Sequence, residues 1–414
     1  MSWFKLSSNE VSGIGIVAGT AIGASMISLP LVSGVAGFWP ATGVMIASYA
    51  YAIITLLLIL EVTLYSRNPD ANIQSIAREH LGRVGEVIAW TAYIFLLYVI
   101  STSYIAGCGE LFYDMIGGSR GPLSQSWCIV IFTIAFGFVA FRGVSLLDKI
   151  NQLLLIGMMA SYIGLLFAVS PYVKLEYLSG GNISFLASSI PVTVTAFASH
   201  FVVPSLRKNF SQSALSLKKM IWIGSTIPLA IYLVYEFMLV AIFPYSGNEG
   251  LLAVASSASP LAKLQQVLGR SEGSYLPFLI SAFSNCAILT SFLGVAISIS
   301  DFLQAGLGIK DNMPFKSLLI ALITLGPPMF LALIIPEDSP GFIIAQDYSG
   351  LLLVFIFGIL TTLMAWRARY YTQLQSEYRI PGGKLGLIVI FIVSLGIIYT
   401  VLGNSFKWLP SPRP

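Results

Sequence analysis

The sequence predicts an all-α membrane protein with eleven transmembrane helices in one transmembrane domain over residues 1–414. Three observations carry this prediction. Of the 414 residues, 56% are hydrophobic and 10% are charged, and the mean hydropathy of +0.85 lies far above that of soluble proteins. Eleven apolar segments reach the roughly 20 residues that a spanning helix needs. The first and sixth segments contain residues that interrupt a helix.

The apolar segments follow one another with mostly short polar connections. They lie at about residues 9–34, 39–65, 84–114, 124–142, 148–170, 185–206, 217–243, 273–303, 314–335, 341–366 and 385–404. Residues 70–82 are too short and too polar to span, and they predict an amphipathic helix near the cytoplasmic surface. Residues 248–273 form a longer loop with apolar pieces, where a short helix is expected.

The basic residues predict the orientation of the chain in the membrane. When the N-terminus is placed in the cytoplasm, sixteen of the 22 Lys and Arg residues fall at the inner ends of the helices. This bias follows the rule that basic residues are concentrated on the cytoplasmic side. An odd number of spans then places the C-terminus outside.

The first predicted span contains a segment that makes a poor continuous helix. Four glycines lie within residues 13–30, together with Thr20 and Ser25, and a glycine inside a helix costs roughly 1 kcal/mol relative to alanine. In lipid, a broken helix is tolerated where its free backbone groups face protein or a polar cavity. We therefore expect an interruption at Gly19–Ser25 that binds a ligand. Close packing of small residues against another helix is the alternative.

The sixth predicted span contains a second interruption. It holds Pro191 and Pro204, with the small and polar residues of Thr195–His200 between them. Proline lacks a backbone N–H and clashes with the preceding turn, so Pro204 is suited to begin a new half-helix. Two interrupted helices that lie five spans apart and run in opposite directions are typical of inverted-repeat transporters. The predicted repeats and an extra helix occupy about residues 9–170, 185–366 and 385–404.

The two interruptions predict a ligand that carries two opposite charges. The second half-helix of the first span begins near Ala24–Met26, where its free N–H groups suit a carboxylate. The carbonyl groups near Thr195–Phe197 end a half-helix of the sixth span and suit an ammonium group. A ligand with both groups close together is an α-amino acid.

The residues expected to contact this amino acid lie at the interruptions and on the helices around them. An apolar pocket with a few polar groups suits a bulky side chain, although ordinary packing is the alternative for each aromatic residue. The candidate substrate-binding residues are Gly19, Thr20, Ile22, Gly23, Ala24, Ser25, Met26, Tyr98, Tyr104, Thr195, Phe197, Ala198, Ser199, His200, Phe201 and Asn285.

Three titratable residues are candidates for carrying a coupling proton, namely His200, Glu110 and Glu236. His200 is the only histidine within a predicted span, and an ionisable group at membrane depth is a functional hypothesis by default. A substrate contact and a structural role are the alternatives for His200. A sodium site would use the hydroxyl groups of Thr290 and Ser291, although hydrogen bonds to their own helix are the simpler role.

The composition argues against several other classes of protein. The net charge of +4 follows the membrane topology, and no basic run indicates a nucleic-acid partner. Three dispersed cysteines predict neither a disulfide framework nor a metal site. Neither a clustered acid–base set nor a phosphate-binding loop is visible, so we expect a secondary transporter without a cofactor and not an enzyme. An ion channel would need a continuous polar lining or a filter repeated by symmetry.

Two motifs resemble those of a known family. GTAIGASMISLPL at residues 19–31 resembles the GT-x-IG-x-GM-x-x-x-P motif of bacterial aromatic amino-acid permeases. FASHFVVPSL at residues 197–206 resembles the helix-six motif of the same family, roughly FGFHGSIPSL. These permeases are hydroxy/aromatic amino acid transporters of the amino acid–polyamine–organocation superfamily. The resemblance implies a leucine-transporter-type fold of five plus five helices, and proton symport of tyrosine, tryptophan or phenylalanine across the bacterial inner membrane.

The motifs also depart from the family pattern. Ser25 stands where glycine is common, and Ser199 and Phe201 replace the phenylalanine and glycine that flank the histidine. Because an aromatic ring has in effect moved across His200, the shape of the pocket is expected to differ. Tyrosine is the first expected substrate, and a small or branched neutral amino acid is the alternative. The chain is expected to act as a monomer in lipid, with sodium as the alternative to protons.

Overall fold

The chain is described by a computed structural model. The described residues are 6–66, 68, 71–116, 121–141, 144–210, 213–257, 259–269, 275–307, 316–336, 339–372 and 374–412. The predicted span ends at residues 142, 273 and 314 lie outside these ranges.

The described chain folds into helices joined by loops. The α-helices are α1 (Ser8–Ala21), α2 (Ser25–Val32), α3 (Phe38–Tyr65), α4 (Ile73–Met115), α5 (Gln125–Phe141), α6 (Val144–Val169), α7 (Leu186–Ala196), α8 (Val203–Phe210), α9 (Ala214–Ile242), α10 (Leu251–Ala255), α11 (Pro260–Gly269), α12 (Leu276–Leu307), α13 (Lys316–Ile334), α14 (Gly341–Leu353), α15 (Thr361–Tyr370) and α16 (Gly383–Ser405). A π-helix over Val354–Leu360 joins α14 to α15.

The long helices make the protein a multi-pass membrane protein. Among the described residues, nine helical segments are long and apolar enough to cross a membrane, and the bent pair α1–α2 makes ten. Two of the nine segments contain more than one α-helix, since α7 and α8 together form one segment and α14, the π-helix and α15 form another. The fourth of the eleven predicted spans corresponds to α5, which has 17 residues. Such a helix extends about 25 Å, which is shorter than the hydrocarbon core of a bilayer.

Two of the predicted connecting segments contain helix. α4 bends sharply at Gly82, whose φ of 75° is readily adopted by glycine. The predicted surface helix is the part of α4 before this bend, from Ile73 onward. The loop at residues 248–273 contains two short helices, α10 and α11, where the sequence predicts one. α10 ends where Ser256 and Ser257 donate side-chain hydrogen bonds back to its carbonyl groups.

α1 is packed tightly along α9. A Cβ atom at Gly224 would overlap Val17, and one at Gly13 would overlap Met220, so both glycines permit the close approach. A buried ion pair between Lys219 and Glu10, with an N–O distance of 3.5 Å, joins the start of α1 to α9. These contacts hold α1 against α9 up to the point where α1 ends.

A second buried ion pair joins α3 to α15. The guanidinium group of Arg369 donates two hydrogen bonds to the Glu61 carboxylate, at 2.6 and 2.5 Å. The same carboxylate accepts hydrogen bonds from the Ile380 N–H at 2.8 Å and the Tyr65 hydroxyl at 3.1 Å. Glu61 is fully buried and Arg369 is 8% exposed. Each charge therefore depends on the other for its compensation.

Replacing Arg369 by methionine leaves Glu61 as an unpaired buried charge. We expect the free energy of unfolding to fall by about 3–5 kcal/mol, measured by thermal or denaturant unfolding of the detergent-purified protein. Arg78→Met is the matched control, because the arginine side chain of the Arg78–Glu86 pair is 71% exposed and such a pair contributes less than about 1 kcal/mol. Equal losses in the two variants would contradict the proposed importance of the buried pair.

Candidate functional site

A cavity of about 540 Å³ lies where two pairs of helices are interrupted. Its volume falls within the range of small-molecule sites, roughly 300–1,000 Å³. α1 ends at Ala21 and α2 begins at Ser25, with a bend of 51° between them. α7 ends at Ala196, and a 3₁₀ turn over His200–Val202 precedes α8. Both interruptions expose helix ends at one place in the fold.

The cavity is lined by residues from eight segments. They are Gly15, Ile16, Gly19, Thr20 and Ala21 of α1; Ile22, Gly23, Ala24 and Ser25 at the first interruption; Tyr93, Leu97, Ile100, Ser103 and Tyr104 of α4; Asn151 and Leu155 of α6; Thr195 of α7; Ala198, Phe201, Val202 and Ser205 from the second interruption and α8; Thr290, Ser291, Gly294, Val295 and Ser298 of α12; and Gln346 and Ser349 of α14.

Most of the predicted substrate-binding residues lie in this lining. They are Gly19, Thr20, Ile22, Gly23, Ala24, Ser25, Tyr104, Thr195, Ala198 and Phe201. The two residues considered for sodium, Thr290 and Ser291, line the same cavity. Both hydroxyl groups donate to the carbonyl oxygen of Ala287 within α12, at 3.0 and 2.8 Å. They therefore make the hydrogen bonds to their own helix that the sequence offers as the simpler role.

Five other predicted residues lie outside the cavity lining. Met26, Phe197 and Ser199 are buried, and the Phe197 ring packs against the rings of Tyr49 and Tyr232. The other two residues, Tyr98 and Asn285, donate side-chain hydrogen bonds to backbone carbonyls. The Tyr98 hydroxyl donates to Ile323 of α13 at 2.6 Å, and the Asn285 amide donates to Ser281 of its own helix at 2.8 Å.

His200 also lies outside the cavity lining. Its Nε2 atom is 2.7 Å from the Thr55 hydroxyl of α3. Its ring stacks on Phe357 of the π-helix, with a centroid distance of 4.9 Å, and the residue is 1% exposed. These contacts join the second interruption to α3 and the π-helix.

The two carboxylate candidates for proton coupling are buried away from the cavity. Glu236 of α9 is fully buried and accepts a hydrogen bond from the Ser33 hydroxyl at 2.9 Å, just after α2 ends. Its second oxygen, Oε2, has no hydrogen-bond partner among the described residues. Glu110 lies near Gln125 and Ser126, where α4 faces α5. In the described chain, no group of three His, Cys, Asp or Glu residues is placed to hold a metal ion.

The first interruption is held against α12 by one serine. The Ala24 N–H donates to the Ser291 hydroxyl at 3.2 Å, and that hydroxyl donates to its own helix. A Cβ atom at Gly23 would overlap the Ser291 hydroxyl oxygen. A larger residue at this position would therefore force the Ser291 hydroxyl to move away from the Ala24 N–H.

The two interruptions are joined by the side chain of Tyr232. Its hydroxyl lies 2.6 Å from the carbonyl oxygen of Ala21 and 2.9 Å from that of Ala196. These carbonyls belong to the last residues of α1 and α7, whose helices leave them unpaired. The single O–H of one fully buried tyrosine from α9 is therefore shared between the two helix ends.

Residues 7–402 match the tryptophan/tyrosine permease family. The chain belongs to this family. It is 30% identical over 395 residues to tyrosine-specific transport system 1 of Haemophilus influenzae, covering 95% of this chain and 96% of the relative. It is 28% identical to a tryptophan-specific transport protein of Pseudomonas aeruginosa, covering 97% and 96%. The protein is therefore a transport protein and not an enzyme.

The fold of this permease resembles that of a solved membrane transporter. A manganese transporter from Eremococcus coleocola superposes with a TM-score of 0.65, covering 96% of this chain and 88% of the transporter. The sequence identity is 13%, so the likeness concerns the fold alone.

Two residues that hold the interruptions in place were not singled out from the sequence, Tyr232 and Gln346. Gln346 is 2% exposed, lines the cavity and contacts both half-helix pairs. A glutamine beside Asp347 within an otherwise apolar span is a signal that could have identified it, because polar side chains are rare at membrane depth. Tyr232 precedes Glu236 by one helical turn on the same face of α9, but its partners are backbone atoms that no sequence pattern marks.

Replacing Tyr232 by phenylalanine leaves the carbonyls of Ala21 and Ala196 without their donor. We expect faster amide hydrogen exchange in α1 and α7 next to the interruptions, and a loss of stability of about 1–3 kcal/mol. Tyr162→Phe is the matched control, because the Tyr162 hydroxyl donates to the Ile231 carbonyl, away from both interruptions. If hydrogen exchange at the interruptions is unchanged in Tyr232→Phe, Tyr232 does not bridge the two interruptions.

Replacing Gly23 by alanine forces the Ser291 hydroxyl away from the Ala24 N–H. We expect the affinity for the transported substrate to fall about tenfold, because the Ala24 N–H at the start of α2 loses its Ser291 acceptor. Substrate titration of the purified permease measures this change. Gly43→Ala on α3 is the control, since a Cβ there meets nothing within 4 Å. Full affinity in Gly23→Ala would argue against a binding role for the first interruption.

Proposed function

We propose that this permease imports an aromatic amino acid and that L-tyrosine is its first substrate. The cavity between the two interruptions is the observation that supports this proposal. It meets Ser25, the first residue of α2, where the positive end of the helix dipole suits a carboxylate. It also meets Thr195 in the last turn of α7, whose carbonyl oxygen accepts from the Ala198 N–H and keeps a second lone pair that suits an ammonium group. The Tyr104 and Phe201 rings in the lining provide aromatic surface for a substrate ring.

The relatives support an aromatic side chain in particular. The two relatives named above are described as tyrosine-specific and tryptophan-specific, and each aligns with nearly the whole chain. A small or branched neutral amino acid remains the alternative substrate, because Ser199 and Phe201 depart from the motif around the histidine.

The proposed architecture is a leucine-transporter-type arrangement of eleven spans, in which α5 is a short span. The two inverted repeats cover about residues 9–170 and 185–366, and α16 is the extra helix. The positions of the interruptions at the starts of the two repeats support this arrangement.

We propose that the N-terminus lies in the cytoplasm and that the permease acts in the bacterial inner membrane as a monomer surrounded by lipid. The bias of basic residues toward the inner ends of the helices supports the orientation. The cavity extends from the interruptions toward Gly15 and Ile16 of α1 and Ser298 of α12. In this orientation the cavity faces the cytoplasm, and α2, α9 and α10 close the outer side.

Proton symport is the proposed mode of coupling, with Glu236 as the first candidate carrier ahead of His200 and Glu110. Burying an isolated ionised carboxylate in an apolar interior is costly. Glu236 contacts only a neutral hydroxyl among the described residues, near the negative end of the α2 dipole. A bound proton is therefore needed for the outer side to close over Glu236. Sodium receives less support, because the Ser291 hydroxyl oxygen already accepts a hydrogen bond from the Ala24 N–H.

Purified permease in liposomes is expected to accumulate L-tyrosine when the outside is made acidic. A protonophore should abolish accumulation, and replacing sodium by choline should leave it unchanged. Radiolabelled uptake measures both effects. A strict sodium requirement would reject proton symport, and uptake of a non-aromatic amino acid in preference to aromatic ones would reject the substrate.

Two variants separate the candidate proton carriers in the same assay. Glu236→Gln should lose gradient-driven accumulation but keep tyrosine exchange, since glutamine occupies the same space without binding a proton. His200→Gln should keep both activities, because glutamine can retain a hydrogen bond to Thr55. The opposite pattern would assign the proton to His200.

A further inference from the structure

Gln346 of α14 is held between the two interruptions. Its side-chain oxygen Oε1 lies 2.8 Å from the Ser28 hydroxyl, in the second turn of α2. Its backbone carbonyl accepts a hydrogen bond of 3.3 Å from the Thr195 hydroxyl, in the last turn of α7. One residue on a third helix therefore contacts both half-helices that flank the cavity.

The carboxamide of Gln346 has one end without a partner. The Nε2 atom is buried and makes no hydrogen bond to any described residue, although the residue lines the cavity and is 2% exposed. An NH₂ group carries two donors, and buried polar groups of native proteins are nearly always paired. An unpaired donor beside a ligand cavity indicates that the ligand supplies the acceptor.

The position of this donor indicates which part of the ligand it meets. Ser28, which contacts the Gln346 side chain, also contacts the carbonyl of Ser25, the first residue of α2. Ser25 and Gln346 both line the cavity, so the amide and the positive end of the α2 dipole face the same ligand, where they favour a negative charge. An NH₂ group cannot accept a hydrogen bond from an ammonium group, but it can donate to a carboxylate.

We propose that Nε2 of Gln346 donates a hydrogen bond to the carboxylate of the bound amino acid, and that this contact makes the permease select amino acids over the corresponding amines. The proposal rests on the proposed function, since it deepens the description of the same cavity. Gln346 then acts with the start of α2 as the anion-binding part of the site. Ser28 orients the amide, and Thr195 fixes the backbone that carries it.

The test compares two ligands that differ in the carboxylate, L-tyrosine and tyramine, by titration of the detergent-purified protein. Tyramine keeps the ring and the ammonium group. In Gln346→Met we expect tyrosine affinity to fall about 10- to 100-fold, as for a hydrogen bond to a charged group, and tyramine affinity to change less than about threefold. In Gln346→Glu tyrosine binding should be lost through repulsion between carboxylates, while tyramine binding is retained.

Gln304→Met is the matched control, because the Gln304 amide donates to Ser300 within α12 and the residue is not part of the cavity lining. It should leave both affinities unchanged. Melting temperature and size-exclusion profile report folding. If Gln346→Met does not fold, the tyrosine-to-tyramine ratio of Gln346→Glu decides, since glutamate keeps the size of the side chain and an oxygen beside Ser28.

Two results would overturn the proposal. If the Gln346 variants lose affinity for both ligands equally, Gln346 has a structural role and does not contact the carboxylate. Unchanged or tighter tyrosine binding in Gln346→Glu would show that the carboxamide oxygen faces the ammonium group. If the wild-type protein binds a different amino acid and not tyrosine, the proposed substrate is wrong, and this result does not bear on the role of Gln346. The same comparison with that amino acid and its decarboxylated amine then tests Gln346.

Discussion

The site depends on one constraint, the need to satisfy the backbone groups that two interrupted helices leave unpaired inside an apolar protein. Free carbonyl groups at membrane depth have no water to bind, so an interruption is stable only where a partner is supplied. The Tyr232 hydroxyl lies within hydrogen-bond distance of both helix ends, at 2.6 and 2.9 Å, and shares its one proton between them. Because the tyrosine belongs to α9, this helix becomes the support on which the ends of α1 and α7 are positioned.

Other contacts of α9 fit this supporting role. Lys219 pairs with Glu10 at the start of α1, and glycines at the contact between the two helices let α1 lie close to α9. One turn beyond Tyr232, Glu236 contacts Ser33 where α2 ends. α9 thus touches both halves of the first interrupted pair, and a rearrangement of either half changes the surroundings of the buried Glu236 carboxyl group. Under the proposed proton symport, this contact would couple protonation of Glu236 to movement of α2.

α14 has a complementary role on another side of the cavity. Gln346 contacts α2 through Ser28 and α7 through Thr195. α16 supports this region, because Asn404 donates to the Ser188 carbonyl of α7 and the Asp347 carboxylate of α14. In the π-helix that follows α14, Gly358 lies beside a hydrogen bond of 2.8 Å between the hydroxyl groups of Tyr51 of α3 and Ser394 of α16. α16 therefore supports the segment that carries Gln346.

Composition and hydropathy determined that this chain is a helical membrane protein, because spans must be long and apolar whatever their packing. Glycines and prolines marked where α1–α2 and α7–α8 are interrupted, since they weaken helices locally. Which side chains face the cavity was decided by tertiary structure alone. Rotation and tilt of each helix turned His200 toward Thr55 and Tyr98 toward Ile323, and brought Tyr232 and Gln346 to the interruptions. Those contacts join residues more than a hundred positions apart or bind backbone atoms, which local sequence patterns do not encode.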